Sequence, residues 1–212
     1  MRQLTVAVPK GRLLVPTFDL LTRIGVTISV YSEDSRALVF SSDDGQYRLL
    51  IAKPMDVPTF VEYGAADLGI VGSDILMEGE HDILQPLDLR YGVCRLVLAA
   101  PQESADDSLA LHRVHRVATK YPNSTARYFA RRGLQVETVK LYGSVELAPS
   151  AGLSTLIVDL VQTGATLKQN GLTAIAEVAS TSAWLISNRA SHKIRFAEIA
   201  TLIRKLTEAT SC

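Results

Sequence analysis

The stretch LSTLIVDLVQTGATLKQNG, residues 153–171, runs from an apolar segment into a polar turn and a short helix-like segment. Its apolar part, LIVDL, has the nearly continuous aliphatic content of a strand buried on both faces, which favours a parallel sheet. Asp159 lies near the end of this strand, and Thr163, Gly164 and Thr166 follow it. Ligands in open α/β sheets bind outside the carboxyl ends of the strands. The stretch therefore predicts an α/β fold that presents a carboxylate and two hydroxyls to a ligand.

Apolar runs of the same kind recur along the chain, and several are separated by segments with helical periodicity. In RLLVPTFDLLTRIG, for example, the apolar residues form one stripe that ends before a glycine. Strands that alternate with helices predict an α/β protein with mainly parallel sheets. The other predicted strands are LTVAV (4–8), LLIA (49–52), LGIV (68–71), VLAA (97–100), RVAT (116–119) and VETVKL (136–141).

The chain length of 212 residues permits two lobes. The segment RYGVCRLVLAA has the appearance of a long strand that leaves one lobe for the other, and AEVASTSAWLISN offers a return path. Two crossings predict a discontinuous first lobe, residues 1–90 plus 181–212, and a second lobe, residues 91–180. The first lobe includes a predicted C-terminal helix over residues 191–210, whose apolar residues cover one broad face.

Composition excludes several classes of function. Lys plus Arg and Asp plus Glu are equal at 22 each, so no net charge draws the chain to nucleic acid or to an anionic membrane. The chain has no apolar run long enough for a signal peptide or a membrane span, and we expect it in the cytoplasm. Its two cysteines and four histidines show no disulfide or metal-ligand spacing, so no metal ligands are assigned.

The turn TGAT suits a phosphate monoester. Backbone N–H groups of the turn and of the helix start would point at one spot, and two threonine hydroxyls would add donors. Asp159, at the other end of the loop, would accept hydrogen bonds from sugar hydroxyls. The residues alone leave a second interpretation open, because Thr-Gly is a common turn pair and a carboxylate at a strand end is often a cap.

A second cationic element is AVPKGRL near the start of the chain. Lys10 and Arg12 flank Gly11 between a strand and a helix, a combination that suits a polyphosphate. Arg36 and Lys53 also lie beside predicted strands and are candidates for the same site. Ordinary exposed charges remain the alternative for all of them.

Glu146, in GSVELAPSAGL, follows a glycine turn. It is either a carboxylate that faces the sugar or a first-turn acid stabilised by the helix dipole, with Ser144 as the N-cap.

Taken together, these stretches resemble the ATP phosphoribosyltransferase family. The resemblance rests on GSVELAPSAGLSTLIVDLVQTGATLKQNGL, and VPKGRL, DVPTFVEYGAADLGIVGSDIL, VATKYPN and KLYGS match in order and spacing. It implies a fold like that of type II periplasmic binding proteins. It also implies the condensation of ATP with 5-phosphoribosyl 1-pyrophosphate, with Mg²⁺, in the first step of histidine biosynthesis.

The resemblance also implies roles for single residues. Thr163, Gly164, Ala165 and Thr166 would hold the 5-phosphate in the second lobe, and Asp159 would lie near the ribose, with Glu146 in support. Lys10, Gly11 and Arg12 would belong to the pyrophosphate or nucleotide side. The chain departs from many relatives at Ser154 and Thr155, where an Ala-Asp pair is common, and at Lys53, where arginine is frequent.

The length of the chain resembles the short form of this family, which lacks a C-terminal regulatory domain. That resemblance implies a homodimer within a hetero-oligomer that contains a regulatory subunit similar to histidyl-tRNA synthetase. A different class of function remains open from the residues: a solute-binding or ligand-sensing module of the same two-lobed fold, to which GAADLGIV is also suited. The phosphate turn with Asp159 favours the enzyme.

Overall fold

The computed structural model describes residues 2–31, 36–104 and 114–210. The chain forms two compact units, which we call unit 1 and unit 2. Unit 1 comprises Met1–Leu76, Glu80–Gly92 and Ser182–Cys212, and unit 2 comprises Met77–Gly79 and Val93–Thr181. The chain leaves unit 1 after Gly92 and returns after Thr181, and the segment Met77–Gly79, from the predicted first lobe, belongs to unit 2.

Unit 1 contains a six-stranded sheet in the order β2-β3-β1-β4-β11-β5. The first strand, β1, lies between β3 and β4 and is parallel to both. It is buried along its whole length because helices pack on both faces of the sheet there. The strands are β1 (Leu4–Pro9), β2 (Val39–Ser41), β3 (Tyr47–Ala52), β4 (Leu68–Gly72), β5 (Leu84–Asp88) and β11 (Ala183–Ser187). The helices are α1 (Leu14–Arg23), α2 (Val57–Glu62), α3 (Ser73–Glu78), α6 (Arg189–Ile194) and α7 (Phe196–Thr210), and the last two residues of α3 belong to unit 2.

Unit 2 contains a five-stranded sheet in the order β10-β6-β9-β7-β8. The strand predicted from LIVDL is β9, and it pairs in parallel with β7. The strands are β6 (Cys94–Pro101), β7 (His115–Thr119), β8 (Val136–Lys140), β9 (Leu156–Val161) and β10 (Leu172–Thr181); the helices are α4 (Pro122–Ala130) and α5 (Ala165–Gln169).

The α/β class and the two-lobed architecture are confirmed, but both sheets are mixed where mainly parallel sheets were predicted. In unit 2, β6 is antiparallel to both β9 and β10. In unit 1, β11 is antiparallel to both β4 and β5. The connectivity explains the pairing of β6 with β10. The chain enters unit 2 through β6 and leaves it through β10, so these two neighbouring strands run in opposite directions.

The predicted C-terminal helix over residues 191–210 is instead two helices, α6 and α7, which are separated at Arg195. The Arg195 guanidinium lies 3.1 Å from the buried carboxylate of Asp67. The same carboxylate accepts hydrogen bonds from the Thr5 backbone N–H and the Ser191 hydroxyl. The break thus places a cation and a hydroxyl on one buried acid. Among the described residues, no helix is both long and apolar enough to cross a membrane.

The segment Arg90–Gly92, which we call the exit segment, ends this part of unit 1 and has a constrained backbone. Arg90 and Gly92 both have positive φ, at 57° and 61°. Between them, the Tyr91 hydroxyl lies 2.6 Å from the Thr17 hydroxyl. Burial raises the pKa of Tyr91 to about 12, so the phenol keeps its proton at neutral pH. A Cβ atom at Gly92 would lie 2.2 Å from Leu13 Cδ2.

The exit segment gives a stability prediction. We expect Gly92→Ala to lower the free energy of unfolding by about 2–3 kcal/mol, because left-handed backbone costs a residue with a Cβ roughly 1–2 kcal/mol and the contact with Leu13 adds to it. Gly133→Ala is the control, since Gly133 also has positive φ (68°) but has no atom within 4 Å of an added Cβ. Urea unfolding measures both. Equal losses would show that Leu13 does not restrict this position.

Candidate active site

The candidate site in unit 2 lies at the carboxyl ends of β7, β8 and β9. These three strands are parallel neighbours, with β7 in the middle, so their carboxyl ends share one edge of the sheet. In α/β sheets this edge is where ligands bind. Three segments follow the strands there: Lys120 and Tyr121 after β7, residues 141–148 after β8, and residues 162–166 after β9.

The turn after β9 leads directly into α5. Gly164 adopts left-handed backbone, with φ 81°, immediately before α5. A Cβ there would meet only Val161 Cγ1 at 3.9 Å, so the glycine is required by its φ rather than by lack of space. The Thr163 hydroxyl accepts a long hydrogen bond of 3.4 Å from the Ala165 N–H. Thr163, Ala165 and Thr166 are exposed, so their polar groups are accessible to a ligand.

Asp159 lies within β9 rather than at its end, because the strand continues to Val161. Its carboxylate is half-buried and accepts a hydrogen bond of 2.8 Å from the Leu160 N–H. Strand alternation places Asp159 on the same face as Ile157 and Val161. Those two residues pack in one cluster with Leu167 of α5. The carboxylate therefore shares a face of the sheet with the helix that follows the turn.

Glu146 is placed on that same face by its neighbours. It lies in a short 3-10 helix, Val145–Leu147, and is half-buried. Val145 and Ala148 are each 1% exposed and belong to the cluster that contains Ile157 and Leu167. Ser144 precedes the 3-10 helix in left-handed conformation, and its side chain makes no capping hydrogen bond. Ser144 occupies the predicted N-cap position, but its hydroxyl accepts no hydrogen bond from the backbone of the 3-10 helix.

Sequence reasoning assigned no role to Lys120, which lies at the same edge. It is half-buried and directly follows β7. The preceding residue, Thr119, fixes the local backbone, because its hydroxyl donates to the Val158 carbonyl at 2.7 Å and accepts from the Tyr121 N–H at 2.9 Å. The stretch VATKYPN held the signal, since a lysine follows a buried strand there as Lys10 does after β1.

The start of α4 lies at this edge too, but the protein's own carboxylate occupies it. The Asn123 and Ser124 N–H groups each donate to Glu78 at 2.9 Å. The Asn123 side-chain amide adds a bond to the Glu78 carbonyl. Glu78 is only 7% exposed, so a phosphate would have to displace a buried acid from this helix start. The N–H groups of Asn123 and Ser124 are therefore not free for a ligand in this structure.

In unit 1, the cations predicted from sequence cluster at the carboxyl ends of β1 and β3. The two strands are parallel, with Pro9 opposite Ala52, so Lys10 and Lys53 follow neighbouring strand ends. The Lys10 N–H donates to the Ala52 carbonyl at 2.8 Å, and both lysine side chains are exposed. Gly11, the next residue, has φ 83°.

Arg36 lies in an irregular segment three residues before β2, not directly beside a strand as predicted. The Leu38 carbonyl accepts from the Ile51 N–H at 2.8 Å, which extends the antiparallel pairing of β2 with β3. Arg36 therefore lies near the carboxyl end of β3, at the same edge of the sheet as Lys53. Its side chain is exposed.

Arg12 makes two contacts within unit 1. One guanidinium nitrogen donates to the Gly92 carbonyl at 2.5 Å, and another lies 3.6 Å from Asp74 Oδ1. Sequence reasoning treated Arg12 as a free cation beside Lys10. The structure instead ties its side chain to the exit segment at Gly92 and to a carboxylate that offsets its charge.

The described residues include no group of three or more His, Cys, Asp or Glu side chains that are arranged to hold a metal ion. A cation at this site would therefore depend on ligand oxygens and water, as Mg²⁺ commonly does with phosphate substrates.

Comparison with known proteins supports one family. The family model described as "HisG: ATP phosphoribosyltransferase" matches residues 53–208. The chain is 51% identical to an ATP phosphoribosyltransferase of Citrifermentans bemidjiense, with 97% of each chain covered. It is 49% identical to ATP phosphoribosyltransferase 2 of Geobacter sulfurreducens, with 96% of each chain covered.

Solved structures agree on the fold. A chain of the ATP phosphoribosyl transferase (HisG:HisZ) complex from Thermotoga maritima aligns with a TM-score of 0.83 and 34% identity, with 99% of both chains covered. The periplasmic aliphatic sulphonate binding protein SsuA from Escherichia coli aligns with a TM-score of 0.61 and 15% identity, over all of this chain and 73% of that one. The second similarity shows a shared fold alone.

Proposed function

The chain belongs to the ATP phosphoribosyltransferase family, and we propose that the strand-end turns of its two units bind different phosphate groups of the substrates. The enzyme is a pentosyltransferase of histidine biosynthesis. It transfers the phosphoribosyl group of 5-phosphoribosyl 1-pyrophosphate to the adenine N1 of ATP and releases pyrophosphate. The adenine N1 already carries a free electron pair at neutral pH, so the reaction requires no general base.

In this proposal the turn from Thr163 to Thr166 binds the 5-phosphate. The observation that carries the assignment is the left-handed Gly164 directly before α5, with Thr163, Ala165 and Thr166 exposed around it. Because the 5-phosphate does not react, its binding energy serves to align the sugar carbon that does.

Asp159 and Glu146 are assigned to the ribose. Both residues are half-buried, and the segments that carry them pack on one face of the unit 2 sheet, which supports a shared ligand. As pyrophosphate departs, the ribose ring gains positive charge, and a preorganised carboxylate stabilises that charge more than it stabilises the neutral ground state. Lys120 is a further candidate at this edge, where it would contact a phosphate oxygen.

The cations of unit 1 are assigned to the pyrophosphate or nucleotide side. Three exposed cations lie at the edge of the sheet where β1 and β3 end, and they suit an anion there: Lys10, Lys53 and Arg36. The backbone of Gly11 would add a close contact. Arg12 requires a rearrangement before it can bind an anion, since its guanidinium already contacts Asp74 and Gly92.

Mg²⁺ fits this arrangement as a companion of the substrate. Since the described carboxylates form no metal cluster, the ion would be held mainly by diphosphate oxygens and water. When bound, Mg²⁺ offsets the charge of the leaving pyrophosphate.

We also propose that the chain is a short-form catalytic subunit that works in the cytoplasm as a homodimer with a regulatory subunit. The support is the Thermotoga maritima chain of similar length, which was solved in a complex described as HisG:HisZ. The test is to purify the chain with and without a candidate regulatory subunit that resembles histidyl-tRNA synthetase, and to add histidine to each. Inhibition by histidine only in the mixture supports the proposal, and inhibition of the chain alone contradicts it.

The phosphate assignment predicts a selective binding defect. We expect Thr163→Ala to weaken the binding of 5-phosphoribosyl 1-pyrophosphate about tenfold, because a hydrogen bond to a charged group contributes about 1.5–3 kcal/mol. The binding of ATP should change less than twofold. Calorimetric titration of each substrate measures both, and Thr163→Ser, which keeps the hydroxyl, is the control. Equal losses for the two substrates would show that the turn has only a structural role.

A further inference from the structure

Unit 2 has a cavity of about 550 Å³ beside α4, on the face of its sheet opposite to the one that carries Asp159 and α5. Its volume is in the range of pockets that bind small molecules, roughly 300–1,000 Å³. Three arginines line it, Arg127, Arg131 and Arg132, and apolar side chains of β6 and β10 also contribute. We call this cavity the arginine pocket.

The three arginines lack acidic partners. Within the described ranges, no carboxylate lies within the 4.0 Å ion-pair limit of any of them. Other exposed arginines of unit 2 differ in this respect. Arg95 pairs with Glu177 at 3.9 Å, and Arg116 pairs with Glu137 at 3.0 Å. The positive charge of the pocket is therefore not offset by an ion pair among the described residues, although the buried Glu78 carboxylate accepts from the Ser124 N–H at the edge of the pocket.

Two of these guanidinium groups are held in place. Arg127 donates to the Met77 carbonyl and, at 3.3 Å, to the Ser124 hydroxyl. Arg132 lies over the Tyr128 ring, with its central carbon 3.7 Å from the ring centroid. A planar guanidinium fixed in this way keeps donors for the paired oxygens of a phosphate and loses little entropy when it binds one.

The pocket also has an apolar side. Leu96 is fully buried, and Val178 and Ala179 are partly buried. Val178 lies at an irregularity of β10, where the register with β6 shifts between Glu177 and Ala179. Bulges of this kind redirect side chains and are over-represented near binding sites.

The end of α4 gives a simpler reason for some positive charge, since cations near a helix C-terminus interact favourably with its dipole. That effect does not account for an apolar cavity beside three guanidinium groups. We propose that the arginine pocket binds a small phosphorylated organic anion, whose phosphate contacts the arginines and whose apolar body contacts Val178 and Ala179. This ligand is separate from the two substrates, and no residue assigned to the reaction lines the pocket.

Phenyl phosphate is a suitable probe because it combines a phosphate with an apolar ring. Arginine Nε–Hε resonances of the isotope-labelled full chain report on each guanidinium group separately, so binding at the active site is distinguishable. We expect the resonances of Arg127, Arg131 and Arg132 to shift together with one dissociation constant, and inorganic phosphate to bind more weakly. Those of Arg95 and Arg116 should stay in place.

Matched variants test the same assignment. Arg131→Gln/Arg132→Gln should weaken phenyl phosphate binding at Arg127 tenfold or more, since two cationic hydrogen-bond donors are lost. Arg95→Gln/Arg116→Gln removes the same net charge outside the pocket and should change binding less than twofold.

Three results would overturn the proposal. One is the absence of a saturating shift at Arg127, and another is an equal loss of binding in both double variants. The third is unchanged phenyl phosphate binding in Arg131→Gln/Arg132→Gln with lost binding of the regulatory subunit, which would identify a protein interface. Because the readout is binding at named arginines, its failure leaves the proposed transferase function untouched.

Discussion

Asp159→Asn is expected to lower the turnover number about 100-fold or more while the chain stays folded. Asparagine has nearly the same shape, and its amide oxygen can still accept the hydrogen bond from the Leu160 N–H. What is lost is the negative charge near the ribose, which our proposal uses to stabilise the positive transition state. The loss of one preorganised electrostatic contact typically costs ~10²-fold or more in rate.

Steady-state kinetics and thermal unfolding of Asp159→Asn separate a catalytic effect from a folding defect. Asp19→Asn, an exposed change on α1, is the control and should leave both unchanged. Near-normal turnover of Asp159→Asn would remove this carboxylate from the mechanism. A fall in turnover matched by a fall in unfolding temperature would show that Asp159 is needed for the structure of β9.

The second large effect is on stability. We expect Asp67→Ala to lower the free energy of unfolding by about 3–5 kcal/mol, the usual cost of breaking a buried ion pair by removing one partner. Asp67 is 2% exposed and accepts from Thr5, Ser191 and Arg195, so its loss leaves several donors unsatisfied. Denaturant unfolding at neutral pH measures the change.

Glu198→Ala is the matched control because Glu198 pairs with the same Arg195 at the surface. Exposed pairs contribute about 0–1 kcal/mol, so the loss should be small. The hydrogen bond from Arg195 lowers the pKa of Glu198 below its usual value. Its contribution is therefore present at neutral pH and is lost as the pH falls through that lowered pKa. Equal losses in the two variants would contradict the role of the buried Asp67.

Much of the fold follows from local sequence. The strand LIVDL was predictable because a continuous aliphatic run suits a strand buried on both faces, and the structure places it at the centre of the unit 2 sheet. The direction of its neighbours was not predictable. Whether β6 runs parallel or antiparallel to β9 depends on where the chain enters and leaves each unit, and periodicity does not record that. The break at Arg195 depends on Asp67, which is distant in sequence.

The candidate site shows the same division. The turn at Gly164 was predictable because Thr-Gly between a strand and a helical segment favours a turn, and glycine adopts left-handed backbone without steric cost. The contacts of Arg12 were not, since its partners Asp74 and Gly92 are brought to it only by the packing of β4 and the exit segment. No role was predicted for Lys120, although a lysine after a buried strand was visible in the sequence. Only the parallel pairing of β7 with β9 brings Lys120 to the edge where both strands end.

The most direct test of the central claim is the reaction itself. The purified chain is mixed with ATP, 5-phosphoribosyl 1-pyrophosphate and Mg²⁺, and a pyrophosphatase is added to remove the released pyrophosphate. Mass spectrometry and ultraviolet absorbance then report whether phosphoribosyl-ATP forms. The account predicts this product, with formation that depends on all three reagents. Its absence both from the chain alone and from the chain with its candidate regulatory subunit would contradict the account.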